Sequence, residues 1–191
     1  MSRYTDAVCR LCRREGMKLY LKGEKCYTEK CPVHKRPVPP GMHGPSRRKL
    51  SEFGIRLREK QKLRRIYGVF ETQFKTYFLQ AAQVKGITGA RLLQLLETRL
   101  DNVVYRLGFA TSRKEARQMV LHGHIKVSGK AVNIPSFTVD TGDVISLDPA
   151  LKDNTAVKLS LETAQKKSSR PTFLEFDEAG LTGKVVRLPD R

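Results

Sequence analysis

Between Arg99 and Leu147 the apolar period changes once, from helical to two, and that change fixes the fold class. Leu100, Val103, Val104 and Leu107 follow one another at i, i+3, i+4 and i+7, and Gly108 stops this helix as a C′ residue. Ser112-Arg113-Lys114-Glu115 reads as a capping box, with the Ser side chain capping the Glu amide and the Glu reaching back. The helix it opens puts Ala116, Met119 and Val120 in one sector and Arg113, Lys114 and Arg117 in the opposite one. Leu121 falls on the basic side, and Gly123 ends the helix. Ile125-Lys126-Val127 then alternates, Ser128-Gly129 turns, and Ala131–Ile134 returns. Phe137–Val139 and Val144–Leu147 supply more strand. Helices followed directly by short strands predict an α+β domain, its helices packed on a small antiparallel sheet.

Other segments read less sharply. Ser51–Tyr67 is a predicted helix with Phe53, Leu57, Leu63 and Tyr67 on one side. Its cations, Arg56, Arg58, Lys60, Lys62, Arg64 and Arg65, spread nearly all the way round. Such a helix is bathed in solvent or wedged between phosphates. Val69–Val84 is a second helix, whose stripe of Phe70, Phe74, Tyr77, Phe78 and Ala81 has core spacing rather than the spread of a base-stacking platform. Gly86–Gly89 is a joint, and Arg91–Leu107 reads helical in one or two pieces. Pro37–Ser46 (PVPPGMHGPS) is linker by composition. After Pro149, Leu159–Lys167 reads as a short helix and Gly183–Leu188 as a strand. The expected division is a cysteine-rich segment with linker over 1–45, a basic helical domain over 46–91, the α-then-β module over 92–152, and a mixed C-terminal segment over 153–191.

All four cysteines lie near the start, in the pattern C-x2-C-x13-C-x4-C. Two close pairs let four thiolates converge on one tetrahedral ion, so Cys9, Cys12, Cys26 and Cys31 are expected to hold a single zinc. An iron–sulfur cluster also takes four cysteines and is the alternative metal centre. Disulfides are the other alternative, against which a reducing compartment argues. His34 could replace a cysteine as ligand, although four thiols suffice. No open ligand position is implied, so the expected role is structural. Residues 1–36 have few large apolar side chains, and the metal would staple a basic loop that has no core of its own.

Charge points to the partner. The 191 residues carry 37 Lys and Arg against 19 Asp and Glu, a net charge of +18. Such an excess costs stability unless a polyanion compensates it, and nucleic acid is the first candidate. Residues 1–50 hold 13 basic and 4 acidic groups, and residues 51–90 hold 8 and 3. The basic surplus therefore sits in the first half, and the second half must place a few charges well. Expected contacts are Arg10, Arg13, Arg14 and Lys22 in the cysteine segment, then Arg47, Arg48 and Lys49. Arg56, Arg58, Lys62, Arg64 and Arg65 follow on the basic helix. In the module they are Arg113, Lys114 and Arg117 at a helix N-terminus, where backbone N–H groups also favour phosphate, with His124, Lys126 and Lys130 beside them. The longest run without a charged residue is Pro37–Ser46, far short of a membrane span. The N-terminus has no apolar stretch of the signal-peptide kind, so a cytosolic setting is expected.

The run RLDNVVYRLGFATSRKEARQMVLHGHIKVSGKAVNIPS, from Arg99 to Ser136, closely resembles the S-four RNA-binding domain. With LREKQKLRRIYGVFETQF (Leu57–Phe74), the cysteine head and the VVRLPDR ending, the chain resembles the bacterial small-subunit ribosomal protein four family. Many members lack the cysteines, so the metal expectation rests on the spacing here. The resemblance implies a primary binder of small-subunit ribosomal RNA, at a multi-helix junction of the 5′ domain, early in assembly. It also implies contact with small-subunit protein five, near where mRNA enters, with an influence on decoding accuracy. Some members regulate their own message.

Two other readings are weaker. Pseudouridine synthases carry the same module, and Arg99-Leu100-Asp101 superficially matches their catalytic triplet. Here that triplet lies inside the module's first helix, so Asp101 is expected on the helix surface. A DNA-binding helix-turn-helix over Arg99–Leu121 fits poorly with the β-rich continuation and the basic first half. His34, His43, His122 and His124 have no Ser or Cys partner at a legible spacing, and no nucleophile or acid–base pair stands out. The expectation is a non-enzyme.

Overall fold

A computed structural model of the chain describes residues 4–44, 49–151, 154–166, 170–178 and 180–189. The end of the Pro37–Ser46 linker and Lys167 lie outside the described residues. The chain divides into two compact units, Met1–Phe74 and Lys75–Arg191.

In the first unit, α1 (Cys9–Glu15) ends at Gly16 in the left-handed region, φ 68°. A 3-10 turn (Gly23–Cys26) and α2 (Pro32–Lys35) follow. The segment buries more than its composition suggests: Val8, Cys12, Leu19, Cys26 and Cys31 are all buried. Next comes α3 (Glu52–Tyr67), whose N-cap Ser51 accepts a hydrogen bond from the Gly54 amide at 3.2 Å. Tyr67 is buried, as expected, but Phe53 at the other end of the stripe is 74% exposed. A stripe with charge on both flanks does not bury its whole length. α4 (Glu71–Gln83) runs across the division, with Phe74 and Ala81 buried and Phe78 exposed.

The second unit carries the module. The expected helix over Arg91–Leu107 is two helices, α5 (Thr88–Glu97) and α6 (Leu100–Leu107), broken at Thr98–Arg99. Arg99 is extended there (φ −66°, ψ 138°). Its extended backbone bridges Thr138, and the Val139 amide donates to the Thr98 carbonyl at 2.9 Å. Phe137–Val139, expected as strand, thus pairs with a helix break and not with the sheet. α7 (Arg113–Leu121) opens on Ser112, whose Oγ accepts from the Glu115 amide at 3.3 Å. Glu115 reaches back one residue further than expected, accepting from the Thr111 amide at 2.8 Å and the Thr111 hydroxyl at 2.6 Å.

Strands β1 (Ile125–Val127), β2 (Lys130–Ala131) and β3 (Val144–Leu147) follow. After them come α8 (Thr155–Lys166), β4 (Leu174–Asp177) and β5 (Thr182–Val185). The sheet is antiparallel, in the order β2-β1-β3-β5-β4. Two of its strands therefore come from the C-terminal segment. Leu100, Val103, Val104 and Leu107 of α6 and Ala116 and Val120 of α7 are fully buried against Ile125, Ile145 and Val185 of the sheet. Val157, Phe173 and Leu174 belong to the same core. Two glycines mark close approaches. A Cβ on Gly108 (φ 94°) would stand 2.6 Å from Ala164 Cβ of α8, and one on Gly183 would overlap the Leu107 side chain.

Candidate nucleic-acid interface

Each cation of α3 has a carboxylate partner. Arg56 pairs with Glu52 at 3.5 Å, Lys62 with Glu59 at 2.5 Å and Arg64 with Glu71 at 3.6 Å. Lys60 also pairs with Glu71. Hydrogen bonding from Lys60 comes first among the causes that hold the Glu71 carboxyl below the usual range. Arg58 (3.5 Å) and Arg65 converge on Glu15, whose side chain is 1% exposed. Glu15 is thus the clamp between α1 and α3, and Arg65 serves it from a site 16% exposed. Burial draws the Arg65 charge down, and Glu15 works to restore it. The exposed pairs are weak and exchangeable for phosphate, whereas the Glu15 clamp is structural.

A groove of about 790 Å³ in this unit brings together Arg14, Arg58, Lys62 and His43 over Pro39, Leu50 and Ile55. Arg10, Lys22 and Lys49 are exposed. Arg13 is turned inward to the chain, its Nε donating to the Arg36 carbonyl at 3.2 Å and the Val38 carbonyl at 2.9 Å. Arg47 and Arg48 lie outside the described residues.

Cys12, Cys26 and Cys31 are buried and Cys9 is half-buried; all four are free thiols. The Lys22 amide donates to Cys26 Sγ at 3.3 Å, and the Leu19 amide bonds Cys12. Burial pushes both thiols up, and each also feels other thiolates of the set: Cys12 the other three, Cys26 both Cys31 and Cys9. Cys12 and Cys26 thus lie within electrostatic reach of the other cysteines. Even so, among the described residues no three His, Cys, Asp or Glu side chains are drawn together tightly enough to hold a metal ion. His34 is exposed.

In the second unit the residues of α7 separate. Lys114 is exposed, Arg113 is half-buried and Arg117 is buried. This corrects the expectation that all three share an exposed sector. Arg117 Nη1 donates to Asp101 Oδ2 at 3.1 Å. Asp101 is no surface residue either, being 4% exposed. It also receives Arg99 through Nε at 3.0 Å and Nη2 at 2.6 Å, and Arg99 Nη1 donates to the Tyr77 hydroxyl at 2.6 Å. Burial opposes the Arg99 charge, but Asp101 and Tyr77 outweigh it and raise the group above its ordinary value. A buried carboxylate needs a buried cation, and Arg117 meets that need in place of an exposed site.

The next residue, Asn102, holds Arg113 in the same way: Arg113 Nε donates to Asn102 Oδ1 at 2.8 Å. Lys126, half-buried, and Lys130, exposed, follow on β1 and β2, and Ala131 pairs with Lys126. His124 is half-buried beside His122, ring centres 5.9 Å apart. Glu15, Glu97, Asp101, Asn102 and Tyr105 were invisible to a search for basic residues. The signal that could have found them is the lone acid in a basic run, and the Asp101-Asn102 step, 16 residues before Arg117 and 11 before Arg113.

Residues 3–97 match the family described as Ribosomal protein S4/S9 N-terminal domain, and residues 98–145 match the S4 domain. Small ribosomal subunit protein uS4 of Ruminiclostridium cellulolyticum is 61% identical over 191 residues, all of this chain and 91% of that protein. The uS4 of Caldicellulosiruptor bescii is 60% identical over the same spans, and uS4A of Alkaliphilus oremlandii 58%.

Proposed function

Because the chain belongs to the family of small ribosomal subunit protein uS4, we propose that it is a structural protein of the small subunit that binds ribosomal RNA. It is not an enzyme, and it works in the cytoplasm, on the ribosome. The observation that carries the reading is the basic corner of the second unit. There Arg113 and Lys114 in the first turn of α7 stand with Lys126 and Lys130 of the following hairpin in one module. A helix N-terminus with cations beside it suits a phosphate backbone. The target in this reading is a helix junction in the 5′ domain of the small-subunit RNA, bound early so that it nucleates assembly. Small-subunit protein five is the neighbouring protein, near the mRNA path, where the contact tunes accuracy. Filter binding of the full chain to a 5′-domain transcript tests the RNA reading. Affinity should fall with salt at a log–log slope of roughly −0.7 to −0.9 per neutralised phosphate. A flat response, or equal affinity for duplex DNA, would overturn it.

Cys9, Cys12, Cys26 and Cys31 hold one structural zinc in the same reading. Burial of the set, the amide donors to Cys26 and Cys12, and the C-x2-C and C-x4-C spacing support it. Zinc would neutralise their mutual repulsion. Elemental analysis should find about one zinc per chain, lost in Cys9→Ser and in Cys26→Ser. Thiols pushed up by burial keep their protons, so uptake must displace them, and occupancy should fall as pH falls. Equal metal content in the wild type and both variants would remove the site.

A further inference from the structure

Tyr20 departs from the habit of its own segment. Between α1 and α2 the backbone is left-handed at Gly16 (φ 68°), at Tyr20 (φ 53°) and at Gly23 (φ 58°). Glycine takes this conformation freely, whereas a bulky side chain there is strained. Folding alone would favour Gly or Asn at position 20. The strained residue also leaves its ring in solvent, since Tyr20 is 41% exposed.

That ring rests on a second one. The centres of Tyr20 and Tyr27 are 4.9 Å apart, with planes 31° from parallel. Each tyrosine follows a buried residue, Leu19 and Cys26 respectively. The loop between them is tied by the Lys22 amide, which donates to Cys26 Sγ at 3.3 Å, and by the Tyr27 amide, which donates to the Glu24 carbonyl at 2.9 Å. The rings therefore stand on anchored backbone, and little freedom is left to lose when a flat group lies on them. Lys22 and Lys25 are exposed in the same loop, against one acid, Glu24. Aromatic rings among cations suit an unpaired nucleotide, whose base stacks while its backbone meets the charge. A protein interface would carry fewer lysines.

We propose that Tyr20, backed by Tyr27, is a stacking platform for one unpaired base of the small-subunit RNA, with Lys22 and Lys25 serving the adjoining phosphates. The inference rests on the RNA-binding reading, and it adds a contact in the first unit that is not electrostatic.

The test is filter binding of the full chain to the 5′-domain transcript over a range of salt, with thermal melts of every variant. Tyr20→Asn removes the ring and suits the left-handed backbone, and Tyr20→Leu removes the ring but keeps an apolar side chain. Both should weaken binding roughly tenfold. Stacking releases no counterions, so the loss should be the same at every salt concentration and the log–log slope should keep its wild-type value. Tyr20→Phe keeps the stacking face and should bind within about twofold of the wild type. Wild-type binding by Tyr20→Asn and Tyr20→Leu would overturn the platform, while a steep salt slope in the same data would leave the RNA reading standing. An equal loss in Tyr20→Phe, or binding that falls only as the melting temperature falls across the three variants, would also overturn it. A flat salt response of the wild type would overturn the RNA reading and the platform with it.

Discussion

Asp101→Ala is expected to cost about 3–5 kcal/mol of stability, because it strands two buried guanidiniums. Arg99 and Arg117 both end on this carboxylate, and neither has water to turn to. Arg117 Nε already lacks a partner among the described residues, so there is little slack in the network. The same loss should appear in Asp101→Asn, which keeps the shape and removes the charge. Replacing all three by apolar residues of similar size should restore much of the stability, since a well-packed core dispenses with desolvating the ions. Urea unfolding of the three variants measures this. An Asp101→Asn protein as stable as the wild type would mean that the carboxylate is dispensable to the fold. The result also separates two kinds of arginine on one helix: Arg117→Ala should unfold the module, and Arg113→Ala should not.

Gly183→Val should be the second large loss, about 3 kcal/mol from overpacking. Any Cβ at this position would overlap Leu107, which is fully buried. The backbone cannot back away, because Gly183 is paired with Ile145 of β3 on one side and Phe176 of β4 on the other. Gly183→Ala should cost less, and Leu107→Ala should relieve it. The double variant, measured by thermal melts, should be more stable than the sum of the single losses predicts. Strict additivity would mean that the two side chains do not compete for the same space.

The order of elements was legible because the apolar period is clean where burial is one-sided. Val103, Val104 and Leu107, or Ile125 and Val127, have one face to bury and show it. The break at Thr98–Arg99 was less plain. Its cause is a side chain seeking a buried partner, and periodicity does not record that. β4 was missed because Leu174–Asp177 mixes two acids with two apolar residues, and its register comes from β5. At the site, positive charge was easy to count and its allocation was not. Arg117, Arg65 and Arg13 look like free surface cations in sequence, yet Arg117 and Arg65 are spent on buried carboxylates and Arg13 on exposed backbone carbonyls of its own chain. A one-dimensional pattern gives the sector of a helix, but the neighbouring helix decides whether that sector is open. The match to the S4 domain over 98–145 shows the same limit, since Val157, Phe173, Leu174 and Val185 complete the module's core from beyond it.

The sheet order has a consequence for the chain as it is being made. β5 inserts between β3 and β4, and it is the last of the five strands to be synthesised. Until then α6, α7, β1, β2 and β3 are all present, yet β3 shows an unpaired edge of N–H and C=O groups. The space later filled by Val185 against Leu107 is open to whatever apolar segment passes. A nascent chain that stalls before Thr182 therefore carries an adhesive rim. Transiently exposed strand edges and apolar surface of this kind are aggregation-prone, and pairing of β5 with β3 is what removes them.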